Sequence, residues 1–269
     1  MTMLVAKHDG NSVYAGDSVR GDEFVCPNCE RVVILHRGPI KMPHFQHKSR
    51  GECDHGVGET EEHRRIKVRI FQTWSEREIE AALEKFVLGA DLSKRFIDVS
   101  IMSPNGRHFA IEIVHKNDGL NEIIDKNDWF IRENIVPIWI SVIRPDWEDA
   151  FATKSQGLTV EKYNPSAFEK WAHGLTYGEL YLVSPTGTIT CGKFEEYLLV
   201  KEETTYFDVE EREEKTNPGG FYPSKKFRNL KILWKRGTRD VRIDLQKRNR
   251  LKTKHYVYPH GWVGRLVER

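Results

Sequence analysis

Two apolar strands, predicted at residues 95–102 and 107–115, constrain the fold of this chain more than any other feature. Apolar side chains alternate with other types along both segments, as expected of strands that bury one face. Each strand carries one carboxylate, Asp98 in the first and Glu112 in the second. The Ser-Pro-Asn-Gly segment between them is a turn signal. A three-residue loop at 104–106 would set Asp98 directly opposite Glu112, whereas a two-residue loop would shift the register by one residue.

Acids in apolar strands need a partner, because removing a carboxylate from water is costly and two facing carboxylates repel each other. Carboxylate oxygens are preferred ligands of hard divalent cations. A cation held by such acids is typical of metal-dependent nuclease sites. The alternative is that Asp98 and Glu112 lie on edge strands and face water.

Composition describes a globular protein, with 39% hydrophobic and 30% charged residues in a chain of 269. This length allows more than one domain. The N-terminus lacks the apolar segment of a secretory signal, and no run approaches the roughly 18 apolar residues of a membrane span. We therefore expect a cytoplasmic protein without membrane association.

The net charge of +2 hides a strong segregation of charge. Residues 195–214 hold nine acids and two bases, whereas residues 225–254 hold thirteen bases and two acids. Basic residues with interleaved aromatic rings suit a surface that neutralises phosphates and stacks bases. The alternative is a basic helix or strand that covers the acidic segment. The aromatic residues concerned are Phe227, Trp234, Tyr256 and Tyr258.

Cysteine and histidine residues near the N-terminus have the spacing of a zinc module. Cys26 and Cys29 form a CxxC pair, and His44, His47 and Cys53 follow within 25 residues. We predict a structural Zn²⁺ held by Cys26, Cys29, His47 and Cys53, with His44 as the alternative to His47. Four protein ligands close the coordination sphere, which makes such a site structural and not catalytic. A redox CxxC would need a βαβ context that this segment lacks.

The central region predicts helices packed on a mixed sheet, which is an α/β or α+β fold class. Ile66, Ile70 and Trp74 recur at helical spacing after the cysteine-rich segment. Farther along, residues 146–174 indicate a helical connection, and residues 178–200 a β-hairpin around Pro185-Thr-Gly187 with Cys191 as a core thiol. The other elements predicted are a strand at 82–88, the hairpin at 95–115, a helix at 120–133 and a buried strand at 135–142.

Six short segments between residues 20 and 145 together resemble the competence protein CoiA-like family. They read, in order, FVCPNC, HFQH, ETEEHRRIK, FIDVSI, AIEIVHK and VPIWI. The resemblance implies a PD-(D/E)XK-type nuclease core behind a cysteine–histidine module. It also implies that Asp98 and Glu112 hold a catalytic Mg²⁺, or Mn²⁺ as a substitute. Glu62, His63 and Lys67 on the first helix match the other site residues of the family, although an exposed first helical turn would also carry such residues.

One position departs from the family pattern. Two residues after the strand acid, PD-(D/E)XK enzymes carry Lys and the CoiA-like family tends to Gln, but this chain has Val114. Lys116 projects to the same strand face as Glu112, and Lys67 could reach the site from the helix. We predict that one of these lysines replaces the missing one, with Lys116 slightly ahead of Lys67. The alternative is a degenerate nuclease fold that does not cut.

These observations predict three parts, namely a zinc-binding module at residues 1–56, a nuclease-like core at 57–145 and an accessory nucleic-acid-binding region with β-structure at 146–269. The predicted function is a metal-dependent nuclease that acts on DNA in uptake, processing or defence. A catalytically degenerate nucleic-acid-binding or adaptor protein is the alternative. The predicted partner is DNA, and self-association or a protein partner stays open.

Overall fold

The computed structural model of the chain describes residues 2–48, 53, 55–56, 58–77, 79–115 and 119–269. Within these residues the backbone forms four α-helices and twenty β-strands, and the strands are arranged in five sheets. The mixed α+β class is therefore as predicted. No helix in the described part of the chain combines the length and the apolar character needed to cross a bilayer.

The N-terminal segment forms an antiparallel sheet of its own, in the order β1-β6-β5-β4-β2-β3. A small apolar core that includes Met3, Phe24 and Phe45 packs against it. Because these strands are only two to five residues long, the sheet offers little apolar area for its own stability. The six strands are β1 Thr2–Met3, β2 Val5–His8, β3 Asn11–Tyr14, β4 Phe24–Val25, β5 Val32–His36 and β6 His44–His47.

The central elements follow the predicted order of helix, three strands, helix and strand. Their ends differ from the predicted strand and second-helix boundaries by two residues or fewer. The strand at Ile135–Val142 is buried along its whole length, and it runs parallel to the strand at His108–Val114. The elements are α1 Glu61–Ser75, β7 Glu80–Leu88, β8 Lys94–Met102, β9 His108–Val114, α2 Leu120–Arg132 and β10 Ile135–Val142.

Helix α1 begins with a capped first turn. The Thr60 hydroxyl accepts a hydrogen bond from the His63 backbone N–H at 3.1 Å, which satisfies one of the free donors of that turn. The acids Glu61 and Glu62 complement the positive end of the helix dipole. Ile66, Ile70 and Trp74 are buried against the sheet, as their spacing predicted.

The hairpin of β8 and β9 has the register expected from a three-residue loop. Val99 pairs with Ile111 and Met102 with His108, while Gly106 closes the turn with a φ of 77°, a conformation that suits glycine. The ladder ends at the Val99–Ile111 pair, one position before the two acids. There the Asp98 carboxylate accepts a hydrogen bond from the Ile113 backbone N–H at 2.9 Å.

The C-terminal third extends the central sheet, whose order is β11-β16-β13-β12-β10-β9-β8-β7. The prediction of a wholly helical connection at 146–174 is wrong, because residues 159–163 form a strand that pairs with β16. The hairpin around Pro185-Thr-Gly187 is present, and Cys191 is buried. The elements are α3 Glu148–Thr153, β11 Thr159–Tyr163, α4 Ala167–Leu175, β12 Leu180–Val183, β13 Thr188–Lys201, β14 Thr204–Asp208, β15 Glu213–Asn217, β16 Gly220–Gly237, β17 Val241–Arg248, β18 Leu251–Lys252, β19 Val257–Tyr258 and β20 Gly261–Glu268, with 3₁₀ turns at Pro145–Trp147 and Thr238–Asp240.

Both faces of the central sheet are covered. Helix α1 and the β17–β20 ribbon share one apolar cluster with the sheet, and helices α2 and α4 share the other. The ribbon approaches β10 closely at Gly264, where a Cβ atom would lie 2.5 Å from Ile138 Cγ1. The predicted division at residues 56 and 145 stays a prediction, although β11, β12, β13 and β16 belong to the same sheet as β7–β10.

Candidate functional site

Four residues of the N-terminal segment form a cysteine–histidine cluster. Cys26 and Cys29 lie between β4 and β5, His47 ends β6, and Cys53 follows it. Their ligand atoms all lie within 4.8 Å of one another, with Cys26 Sγ 3.7 Å from Cys53 Sγ and Cys29 Sγ 3.3 Å from His47 Nε2. Zn–S bonds of about 2.3 Å in a tetrahedron place sulfur atoms about 3.8 Å apart. The cluster therefore has the spacing to hold a metal ion such as zinc.

His44 lies outside this cluster. Its Nδ1 atom is 2.9 Å from the Met42 carbonyl oxygen, and its ring stacks on His36 with centroids 5.3 Å apart. Of the two histidines that the sequence left open, the structure brings His47 to the cysteines.

The two CxxC thiols differ in acidity. Burial raises the pKa of Cys26 to about 12. Burial also opposes ionisation of Cys29, but hydrogen bonds from Arg31 and His47 lower the pKa of its thiol to about 6. Arg31 Nε donates to Cys29 Sγ at 3.4 Å. Cys29 is therefore the thiol that most readily supplies the thiolate needed by a metal.

A second candidate site lies where the β8–β9 ladder ends, between the N-terminal ends of α1 and α2. It is a cleft of about 730 Å³. Val114 lines it together with charged side chains from four elements and the segment before α1. Its charged or titratable residues are Glu59, His63, Asp98, Glu112, His115, Glu122 and Lys126.

Asp98 is surrounded by positive groups of α1. Its Oδ1 lies 3.5 Å from Lys67 Nζ, and its Oδ2 lies 3.5 Å from His63 Nε2. Burial alone would raise the pKa of Asp98, but Lys67 and His63 hold it well below its usual range. Burial likewise opposes a charged His63, and Asp98 raises the pKa of that imidazole. The pair is therefore stabilised in its charged form.

Lys67 is enclosed, with 1% of its side chain exposed. Its Nζ contacts Glu59, lies 2.8 Å from Glu84 Oε1 and also faces Asp98. Burial would lower the pKa of Lys67, but the three carboxylates raise it well above its ordinary value. Lys67 thus acts as a buried counterion. From the sequence, Glu84 is predicted only as part of the strand at 82–88.

Glu112 faces α2 and is only 3% exposed. Its Oε2 accepts a hydrogen bond from Lys126 Nζ at 2.7 Å, whereas its Oε1 has no hydrogen-bond partner among the described residues. Burial raises the pKa of Glu112 to about 7, against the opposing effect of Lys126. Lys126 is absent from the predicted site residues, although it lies three residues after the buried Ile123 and so near the inner face of α2.

The other predicted site residues lie at the rim or outside the described residues. Glu62 pairs with His115, with Glu62 Oε2 3.5 Å from His115 Nε2, and both are about one-third exposed. Val114 lines the cleft and offers no polar group. Lys116, which was predicted to supply the missing lysine, lies outside the described residues.

Buried polar contacts connect the cysteine–histidine cluster to the cleft. His55 Nδ1 lies 3.6 Å from Cys26 Sγ, and His55 Nε2 lies 3.4 Å from Glu84 Oε2. Glu84 also accepts a hydrogen bond from the Leu4 backbone N–H at 2.8 Å. Its φ of 42° is unusual for a non-glycine residue inside a strand. Through Glu84 and Lys67, a continuous line of contacts reaches Asp98.

The basic C-terminal region consists of strands, and the prediction that its aromatic rings stack bases is wrong for two of them. Trp234 is buried and packs near Tyr181, with ring centroids 6.2 Å apart. Tyr258 is buried, and its hydroxyl donates to the Trp171 carbonyl at 3.2 Å. Both rings complete the core, because β16 with Trp234 is a strand of the central sheet and β19 with Tyr258 packs against α4.

Comparison with known proteins gives one match. No curated protein and no solved structure matches the chain. Residues 11–56 match the family model described as competence protein CoiA, N-terminal domain. The matched segment contains the whole cysteine–histidine cluster, Cys26, Cys29, His47 and Cys53. The N-terminal segment is therefore similar to a competence protein CoiA N-terminal domain, and the predicted resemblance to the CoiA-like family is confirmed over residues 11–56.

Proposed function

We propose that the chain is a metal-dependent nuclease that hydrolyses phosphodiester bonds of DNA, with a structural zinc ion in its N-terminal module. One observation carries the proposal: the buried Glu112 and the partly buried Asp98 line one cleft at the end of a strand ladder, and Glu112 Oε1 has no partner among the described residues. The succession of α1, the antiparallel strands β7–β9, α2 and the parallel strand β10 supports a PD-(D/E)XK-type core.

The donor atoms fit a hard divalent cation. Besides Glu112 Oε1, the buried Glu59 Oε2 lacks a hydrogen-bond partner within the described part of the chain. Mg²⁺ is commonly held by one or two carboxylates together with substrate phosphates and water, so Asp98 and Glu112 suffice as protein ligands. When bound there, the cation would polarise the scissile phosphate and lower the pKa of an attacking water.

The neighbouring side chains have separate tasks in this proposal. Lys126 lines the cleft with 26% of its side chain exposed, so it can turn towards a phosphate and neutralise charge that develops in the transition state. Lys67 stays with its three carboxylates and holds Asp98 in place. Asp98 outweighs the effect of burial and raises the pKa of His63, which favours an imidazolium that can donate a hydrogen bond to a phosphate oxygen.

A competence-related role is part of the proposal. The match of residues 11–56 to the competence protein CoiA N-terminal domain supports it. Competence involves DNA, which agrees with a phosphodiester substrate, and we extend the proposal to uptake, processing or defence against foreign DNA.

The test is Mg²⁺- or Mn²⁺-dependent degradation of single- and double-stranded DNA and RNA. Asp98→Asn and Glu112→Gln keep the shape of each side chain and remove its charge, so each should lower the rate at least about 100-fold. Asp125→Asn is the matched control, because Asp125 lies exposed on α2 and does not line the cleft. Equal rates for the wild type and both cleft variants would refute the proposed site.

A second candidate is a nuclease fold that binds nucleic acid without cutting it. Val114 stands where the lysine of PD-(D/E)XK enzymes is expected, and both oxygens of Asp98 already have protein partners. In that case the protein would bind DNA and leave it intact in either metal, and Glu112→Gln would leave DNA affinity unchanged.

A further inference from the structure

A second cleft lies at the opposite end of α1 from the candidate nuclease site. It has a volume of about 460 Å³ and is lined by the end of α1, the β8–β9 turn region and strand β17. Its floor is apolar and includes Trp74, Ile101 and Phe109. Arginines from four separate positions in the chain surround that floor.

The side chains that line this cleft carry more positive than negative charge. Four arginines line it, Arg77, Arg107, Arg242 and Arg269, against the single acid Asp244. None of the four forms an ion pair with an acid in the described ranges. Burial lowers the pKa of Arg77 and the neighbouring Arg269 lowers it further, whereas Asp240 acts in the opposite direction. Four arginines thus outnumber the acids near the cleft, and an excess of positive charge favours an anionic ligand.

Two of the arginines are also held in defined positions. The Arg77 guanidinium stacks over the Trp74 ring at 4.4 Å and donates hydrogen bonds to the carbonyls of Val241, Thr238 and Arg239. Arg77 therefore shapes the wall of the cleft, because these carbonyls take most of its N–H groups. The Arg107 guanidinium stacks over the Trp262 ring at 4.6 Å. A guanidinium held by stacking can still direct its N–H groups at a phosphate.

The ligand must combine negative charge with a flat apolar part. A simple anion would leave the apolar floor in water, whereas a nucleotide could place its base on the floor and its phosphates against the arginines. At the edge of the cleft the Ser103 hydroxyl bonds to the Asn105 side-chain oxygen and so holds that amide, whose NH₂ group can face a base edge. Bases in a duplex are stacked inside the helix, so the floor favours a single strand.

We propose that this arginine cleft is a binding subsite for single-stranded DNA. The proposal rests on the proposed function, in that it adds a place where the DNA is held away from the reacting bond. His63 and Trp74 lie eleven residues apart on α1, so the two clefts are separated by about 16 Å along the helix. A strand held at both clefts would lie along the α1 side of the molecule.

The test measures binding of a fluorescent oligothymidylate to the zinc-loaded protein by fluorescence anisotropy, without added Mg²⁺ or Mn²⁺ and at several salt concentrations. We expect the double variant Arg107→Ala/Arg242→Ala to bind about tenfold more weakly and to show a shallower salt dependence, by about 1.4 in the log–log slope for two lost phosphate contacts. Arg250→Ala is the control, because Arg250 is exposed in the basic C-terminal region but does not line the cleft. This control should bind like the wild type.

Three results would overturn the subsite. The double variant could bind with wild-type affinity, Arg250→Ala could lose as much affinity as the double variant, or polyglutamate could compete as well as oligothymidylate. If the double variant does not fold, Arg242→Glu alone decides, because Arg242 is exposed and its reversal should weaken binding at least as strongly. Binding is measured without the cation that the proposed cleavage requires, so a failure of the proposed nuclease activity would leave this binding result readable.

Discussion

Glu112 is a carboxylate in a position where its charge is poorly compensated. Its burial outweighs the attraction of Lys126, and the pKa of Glu112 rises from 4.5 to about 7 in the metal-free protein. The folded state therefore holds this proton more tightly than the unfolded chain does. The resulting stabilisation is complete below about pH 4.5 and is lost as the pH rises through about 7.

The first prediction concerns this titration. Between pH 5 and pH 8, the unfolding free energy of the metal-free wild type should fall relative to that of Glu112→Gln by up to about 3 kcal/mol. Urea unfolding of both proteins at the two pH values measures the difference. Identical pH dependence in the two proteins would mean that Glu112 titrates normally.

The second prediction separates the two lysines. Lys67→Ala would leave three carboxylates without their buried counterion, so we expect it to lower the unfolding free energy by about 3–5 kcal/mol. Lys126→Ala removes a partly exposed side chain and should cost about 1 kcal/mol or less, while it lowers the cleavage rate about 100-fold.

Urea unfolding and initial cleavage rates measure the two effects. Lys126→Arg keeps the positive charge and is expected to retain part of the activity. A Lys126→Ala protein that cuts at the wild-type rate would exclude Lys126 from the site.

Individual elements differ in how far the sequence predicts them. Strand β10 and helix α1 carry long, regular apolar patterns, and the turn at Pro104-Asn-Gly106 determines the β8–β9 register, so local information was enough. Strand β11 has only Val160 and Tyr163 to bury, and it forms because β16 supplies an edge far away in the sequence. Pairing of that kind leaves no local signal.

The candidate site likewise contains residues that the local sequence pattern identifies and residues that only tertiary packing brings in. The strand acids were apparent because a carboxylate interrupts an apolar pattern. The role of Glu84 is not apparent from the sequence, since its backbone partner Leu4 is 80 residues away and its contact His55 belongs to another segment. Lys126 was missed because a lysine on an amphipathic helix is usually solvated, and only the packing of α2 against β9 brings it to Glu112.

The third prediction concerns the buried contacts that connect the N-terminal module to the core through His55 and Glu84. Removal of the metal by a chelator should release the segment that carries His55 and so disturb Glu84 and Lys67. All seven tryptophans follow residue 56, so their fluorescence reports on the rest of the molecule. We expect chelation to lower the urea midpoint of tryptophan fluorescence, because structural zinc sites contribute roughly 10–16 kcal/mol to module folding.

His44→Ala is the matched control, because His44 lies outside the cluster, and this variant should respond to the chelator as the wild type does. A tryptophan midpoint that is the same with and without chelator would show that the module and the core are energetically independent.

At the scale of the whole molecule, one helix connects the proposed activities. The N-terminal end of α1 lines the cleft that contains Asp98 and Glu112, and its C-terminal end lines the arginine cleft. Lys67 on α1 also connects through Glu84 and His55 to the cysteine–histidine cluster. The charge segregation between residues 195–214 and 225–254 is therefore only one part of the charge distribution of the molecule. The arginine cleft joins residues from four regions, which no single stretch of sequence identifies.

The central claim is that Asp98 and Glu112 form a divalent-cation site, and binding of Mn²⁺ to the zinc-loaded protein tests it most directly. Electron paramagnetic resonance of free Mn²⁺ gives the bound amount. The wild type and Asp125→Asn should each bind about one equivalent more than Asp98→Asn and Glu112→Gln. Equal Mn²⁺ binding by the wild type and both cleft variants would contradict the account.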